Sequence, residues 1–178
     1  SSSAPCDENT IFDLASLTKP LTTALWCLRL ADQQKLDLDA PLNAFLPIAD
    51  ATLGACPVWR LLNHTSGLPA HRLFYEGLGH SSLQQGDFER AQKNVRRMIQ
   101  NTKPTNEPGK SEIYSDLGYL LLENICEIVD RPLRRVWPEL PCHGSESLHF
   151  INLPASRITG SYAATEDCPW RGKILRGE

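Results

Sequence analysis

Phe12-Asp13-Leu14-Ala15-Ser16-Leu17-Thr18-Lys19-Pro20 sets a hydroxyl and an amine three residues apart where a helix begins. On a helix, residues i and i+3 are neighbours, about 5–6 Å apart at Cβ, so the long Lys19 side chain can reach the Ser16 hydroxyl. The helix N-terminus beside them favours developing negative charge. Pro20 marks the start of that helix independently, because a first helical turn tolerates proline's missing N–H. Leu21, Ala24, Leu25, Leu28 and Ala31 then follow the 3.6-residue period, which predicts a helix from about Leu17 to Gln34. Alone, a Ser-x-x-Lys spacing is common in chains of this length and needs support from elsewhere.

Further along, Lys35 to Leu42 alternates apolar and polar residues around Pro41 and reads as an extended loop rather than a central strand. Pro57 to His64 reads as a short helix with Trp59, Leu61 and Leu62 inward, stopped by Thr65-Ser66-Gly67-Leu68-Pro69. Ala70 to Gly86 is polar and glycine-punctuated, of a length that suggests a functional lid or an excursion. Asp87 is placed to cap a helix whose apolar stripe is Phe88, Ala91, Val95, Met98 and Ile99, with Glu89, Arg90, Lys93, Arg96 and Arg97 facing water. The turn-rich Lys103 to Lys110 delivers Ile113-Tyr114-Ser115-Asp116. A last helix carries Leu117, Leu120, Leu121, Asn124, Ile125 and Ile128 inward, capped by Ser115 or Asp116 and ended before Pro132. Beyond Pro138 the chain turns rich in proline, glycine and serine, so residues 138–178 read as loop-rich and the whole as mostly α.

Composition narrows the function classes. A 41% hydrophobic content over 178 residues allows one sizeable core. The net charge of -3, with no basic run beyond Arg96-Arg97 and Arg134-Arg135, leaves no footprint for nucleic acid or a polybasic membrane patch. No apolar run reaches transmembrane length. Cys6, Cys27, Cys56, Cys126, Cys142 and Cys168 form no C-x-x-C pair and no zinc spacing, and Cys142-His143 with His149 lacks a fourth ligand, so neither metal nor cofactor is expected. Cys27 and Cys126 lie in apolar helical patterns, where free cysteine acts as a small hydrophobe. Reduced thiols favour a cytoplasmic over a periplasmic setting.

Four segments in order carry a resemblance: Ser16-Leu17-Thr18-Lys19, Leu61-Leu62-Asn63-His64-Thr65-Ser66-Gly67-Leu68-Pro69, Tyr114-Ser115-Asp116-Leu117-Gly118-Tyr119, and Thr165-Glu166-Asp167-Cys168-Pro169-Trp170-Arg171-Gly172. Together they resemble the serine beta-lactamase and penicillin-binding-protein superfamily, in its class C branch with related esterases and D-aminopeptidases; Ser-x-x-K is a known signature of that superfamily. The resemblance implies the helical portion of an α/β beta-lactamase/transpeptidase-like fold, acting on a small-molecule or short-peptide substrate. Carried over, it makes Ser16 the acylated nucleophile, Lys19 its partner in proton transfer, and Tyr114 the phenol that exchanges protons with nucleophile and leaving group. The Ser16 backbone N–H would give half of the oxyanion hole, and water would then release the acyl-enzyme.

Two departures bear on that chemistry. Asp116 stands where better-known members carry Asn; its carboxylate favours a protonated Lys19 and leaves Tyr114 the base. Bringing a tyrosine from about 10 to near neutrality takes roughly 4 kcal/mol, which the Lys19 cation must largely provide. The family's Lys/His-Ser/Thr-Gly strand, with the second oxyanion donor, has no match in the 178 residues, and the strands expected before Phe12 are not found either. The chain is therefore expected to be a partial domain, 1–178, cut at both ends, with the flanking antiparallel sheet largely missing.

His64 invites a Ser/His/Asp reading with Ser66 or Asp116, but a histidine at a helix C-terminus is expected to answer the dipole and free carbonyls. Trp170 and Arg171 pack either over the cleft or structurally. The competing class is a non-catalytic, degenerate module that binds or interacts through the same helices. The isolated 178-residue chain is expected to show little or no turnover. Robust hydrolysis of a chromogenic ester or beta-lactam, abolished by Ser16→Ala, would overturn that expectation.

Overall fold

The computed structural model describes residues 6–74, 88–140, 148, 162–168 and 172–175. Among them the chain forms helices α1 (Leu25–Asp32), α2 (Ala51–Gly54), α3 (Trp59–Leu62), α4 (Phe88–Gln100), α5 (Asp116–Val129) and α6 (Leu133–Val136), followed by strands β1 (Glu166–Cys168) and β2 (Lys173–Leu175). They fall into two compact units, residues 19–140, and residues 1–18 with 141–178.

In the 19–140 unit, α5 is the central helix: α1, α3 and α4 all pack on it. Its buried side chains are Leu117, Leu121, Leu122, Asn124, Ile125 and Cys126, whereas Leu120 and Ile128 are 40% and 56% exposed. The buried face is thus turned from the expected stripe, and wider than one stripe, because partners cover α5 on several sides. Trp26, Cys27 and Leu30 of α1, Leu61 of α3, and Ala91 and Ile99 of α4 are buried with them. In α3, Trp59 and Leu62 are only half-buried, and the Arg60 guanidinium lies 4.4 Å from the Trp59 ring centroid. Arg96, read in the sequence as water-facing, instead pairs with Glu127 and ties α4 to α5. The expected Asp87 cap lies outside the described residues.

The helix expected over Leu17–Gln34 is not uniform: a π-helix runs over Lys19–Ala24 before α1 begins. Pro20 cannot donate to the ladder, and single π turns are frequent at functional sites. The loop from Lys35 buries Leu36 and Leu42 and bridges Pro41 to Pro57, with Leu42 N–H donating to the Cys56 carbonyl at 2.9 Å and Val58 N–H to Ala40 at 3.1 Å. Cys6, Cys27, Cys56 and Cys126 are free thiols. Burial pushes the Cys56 thiol up to about 11, and the hydrogen bond with Cys27 together with burial pushes Cys126 up as well.

In the other unit, β1 and β2 form an antiparallel ribbon with Glu166 opposite Leu175, Asp167 opposite Ile174 and Cys168 opposite Lys173. It falls in the segment expected to be loop-rich. Ile11 bridges in parallel to Tyr162, and Ala163 N–H donates to the Ile11 carbonyl at 2.9 Å. Among the described residues no helix is long and apolar enough to cross a membrane.

The rotated face of α5 gives a direct comparison. Leu122→Ala is expected to cost about 2–5 kcal/mol of unfolding free energy, as truncation of a buried leucine does. Leu120→Ala is expected to cost about 1 kcal/mol or less. Denaturant midpoints of the two variants check this, and equal losses would contradict the burial pattern.

Candidate active site

The segment Leu61–Pro69 works as a bracket for Tyr114-Ser115-Asp116. Positive φ values at His64 (61°) and Gly67 (80°) turn the chain out of α3, and a Cβ at Gly67 would lie 2.1 Å from the Asn106 carbonyl oxygen, so only glycine fits there. The His64 carbonyl accepts the Ile113 N–H at 2.9 Å, and the Ala70 carbonyl accepts the Asp116 N–H at 2.9 Å. Between them, Ser115 donates its N–H to His64 Nδ1 at 3.1 Å and its hydroxyl to the Pro69 carbonyl at 2.7 Å. The same hydroxyl accepts the Gly118 N–H at 3.2 Å, which makes Ser115 the N-cap of α5. The bracket thus satisfies the N–H groups of Ile113, Ser115 and Asp116 and the Ser115 hydroxyl, while Tyr114 is 51% exposed.

Three of the four residues singled out from the sequence meet here. Lys19 Nζ lies 2.6 Å from Asp116 Oδ1 and 5.0 Å from the Tyr114 ring centroid. Burial opposes the Lys19 charge, but Asp116 and then Tyr114 outweigh it and hold the ammonium above its usual range. Burial likewise disfavours the Asp116 carboxylate, yet Lys19 first and His71 second hold it below the usual range. Ser16, the fourth, belongs to the other unit and lies in a single 3-10 turn, Ala15–Leu17. Asp13 Oδ1 accepts the Ala15 N–H at 2.8 Å, the Leu14 carbonyl accepts the Leu17 N–H at 2.9 Å, and Ala15 has φ 45°. A non-glycine residue in that conformation is strained, and such residues gather at functional sites.

His64 does not take the part expected of it. Its Nδ1 accepts from Ser115, so the neutral ring carries its proton on Nε2. Burial and the nearby Lys19 charge lower its pKa, which is the reverse of a cation answering a helix dipole. Its ring packs on Tyr114 and Tyr119, with centroids 4.5 and 5.2 Å away. His71, which the sequence did not single out, places Nδ1 3.2 Å from Asp116 Oδ2. Nothing local marked it, because it follows Pro69-Ala70 in a stretch without periodicity. One residue on, a cavity of about 830 Å³ is lined by Arg72, Leu73, Phe74, Met98, Thr102 and Lys103 among others. Trp170 and Arg171 lie outside the described residues, as do Cys142, His143 and His149. Among the described residues no cluster of three or more His, Cys, Asp or Glu is placed to hold a metal.

The Lys19–Asp116 pair fixes a pH window. A carboxylate with a depressed pKa contributes stability that is lost as pH falls through its folded value, and a lysine with a raised pKa contributes stability lost as pH rises through its own. Asp116→Asn is therefore expected to be less stable than the parent chain near neutrality, with the difference shrinking below the carboxylate range and again above the ordinary lysine range. Unfolding free energies measured across pH check this, and a pH-independent difference would contradict it.

The profile of the Beta-lactamase family matches residues 1–140. The chain is 36% identical over 138 residues to Esterase EstB of Burkholderia gladioli, covering 71% of this chain and 33% of that protein. It is 34% identical over 134 residues to the N-acetylmuramyl-L-alanine amidase of Bacillus subtilis (strain 168), covering 70% of this chain and 29% of that protein. Among solved structures, the octameric penicillin-binding protein homologue from Pyrococcus abyssi matches with a TM-score of 0.58 at 27% identity, over 74% of this chain and 30% of that one. The chain spans about a third of the length of the curated relatives it matches. With the profile covering the Ser-x-x-Lys stretch, the bracket and the Tyr-Ser-Asp approach alike, the chain belongs to the Beta-lactamase family.

Proposed function

We propose that the protein carrying this chain is a serine hydrolase that acts through an acyl-enzyme on an ester, amide or beta-lactam carbonyl. What most supports the reading is the ammonium of Lys19 seated between the Asp116 carboxylate and the Tyr114 ring. A cation so placed stabilises the phenolate form of Tyr114, the form able to take the Ser16 proton.

In this reading Ser16 Oγ attacks the carbonyl carbon as its proton passes to the Tyr114 oxygen. The carbonyl electrons move onto the oxygen, which the Ser16 backbone N–H helps to hold. Collapse of that intermediate expels the leaving group, which takes the proton from Tyr114, and Ser16 remains acylated. A water then gives a proton to Tyr114 and attacks the acyl carbon; Ser16 leaves, recovers the proton, and the carboxylic acid departs. Lys19 stays charged throughout, and Asp116 keeps it so. The chemistry asks nothing of a metal or cofactor. The ester and amide bonds in the names of the relatives set the substrate range proposed here, a small ester or a short peptide; the choice among them depends on the walls of the cleft.

Covalent labelling tests the reading. In the full-length protein, a fluorophosphonate or a fluorescent penicillin is expected to acylate Ser16, with labelling abolished by Ser16→Ala. Tyr114→Phe is expected to slow it by about 10²–10⁴-fold, the range of a lost general base. A protein that retains its ligand affinity in Ser16→Ala and takes no label in the parent form would instead be a binding module.

A further inference from the structure

Asp116 is held at both ends. Lys19 Nζ lies 2.6 Å from Oδ1 and His71 Nδ1 lies 3.2 Å from Oδ2. The terminal torsion of an aspartate is broad and two-fold, and a lysine on its four-carbon stem follows a carboxylate rather than orienting it. Neither member of the ion pair therefore fixes the plane of the carboxylate. His71 does: it is a ring on a short stem, and its backbone is attached next to Ala70, whose carbonyl already accepts the Asp116 N–H at 2.9 Å. The two contacts between this loop and Asp116 come from neighbouring residues, so loop and carboxylate are registered to each other. His71 is itself 60% exposed, which separates this contact from core packing.

We propose that His71 is a positioning residue, which pins Oδ2 of Asp116 so that Oδ1 faces the Lys19 ammonium. Nδ1–H donates to Oδ2 in the charged ring and in one neutral tautomer. Without that donor the carboxylate turns more freely, and the Lys19 ammonium spends part of its time without its partner. The consequence for acylation rests on the reading of Lys19 and Tyr114 given above; the placement of the carboxylate does not.

The two are read separately in the full-length protein, with lysines carrying ¹³C-dimethyl labels and the Lys19 resonance identified by its loss in Lys19→Arg. His71→Ala is expected to lower the Lys19 titration midpoint by about 0.3–0.7 pH unit. His71→Asn, whose amide nitrogen lies close to where Nδ1 sits, is expected to restore it. Acylation of Ser16 by a fluorophosphonate should fall about threefold to tenfold in His71→Ala and recover in His71→Asn. A Lys19 midpoint unchanged or raised in His71→Ala, or one that His71→Asn leaves lowered, overturns the proposal. A midpoint that falls and recovers as expected, in a protein whose Ser16 takes no label, upholds the positioning and removes the acyl-enzyme reading instead.

Discussion

A backbone that must satisfy its polar groups decides where this site is. Ile113, Ser115 and Asp116 each point an N–H at the segment from His64 to Ala70, and each finds an acceptor there. A chain captured on one side in this way presents Tyr114 on the other, and it releases Asp116 at the first position of α5. The bracket itself depends on a left-handed turn at Gly67, whose carbonyl accepts the Thr105 N–H at 2.8 Å and so draws the approach in from further upstream. The His64-Thr65-Ser66-Gly67-Leu68-Pro69 stretch is therefore scaffold. Its histidine does no proton transfer in the proposed chemistry; its imidazole closes the gap between a loop and a helix start.

Charge is arranged on that scaffold with a consistent sign. Asp116 is the acceptor for Lys19 and His71, and Lys19 lies near enough to His64 to help keep that ring neutral. One cation is retained at the centre, and the histidine packed against Tyr114 is discouraged from becoming a second. Had His64 been the cation, the tyrosine would have been packed against a competing charge with its own proton to lose. The helix that brings Lys19 to this place is a π turn rather than a regular α turn, with Thr22 and Thr23 buried and the segment packed on α1 and α5.

Much of this could be read from residue order, and the failures have physical causes. The positions of α1, α4 and α5 followed from periodicity because each has an apolar side. The inward face of α5 did not, since Leu122 and Cys126 are buried only because α1, α3 and α4 surround the helix, and periodicity assumes one covered side. Arg96 looked like part of a solvated run because its partner, Glu127, lies 31 residues away. Lys19, Tyr114 and Asp116 stand in the motifs quoted from the sequence, and their side chains lie together in the structure. His71 sits in none; its part arises from a contact 45 residues distant, which no local pattern records.

Asp116 also narrows what the site can do. An asparagine there, as the resemblance gives for better-known members, offers a donor as well as an acceptor and can hydrogen-bond a substrate carbonyl. An ionised aspartate accepts only, and here both its oxygens already face protein donors. A carboxylate held below its usual range by Lys19 and His71 stays ionised at neutral pH, so it has no proton to offer a substrate. The same carboxylate that keeps the Lys19 ammonium charged therefore cannot donate a hydrogen bond of its own.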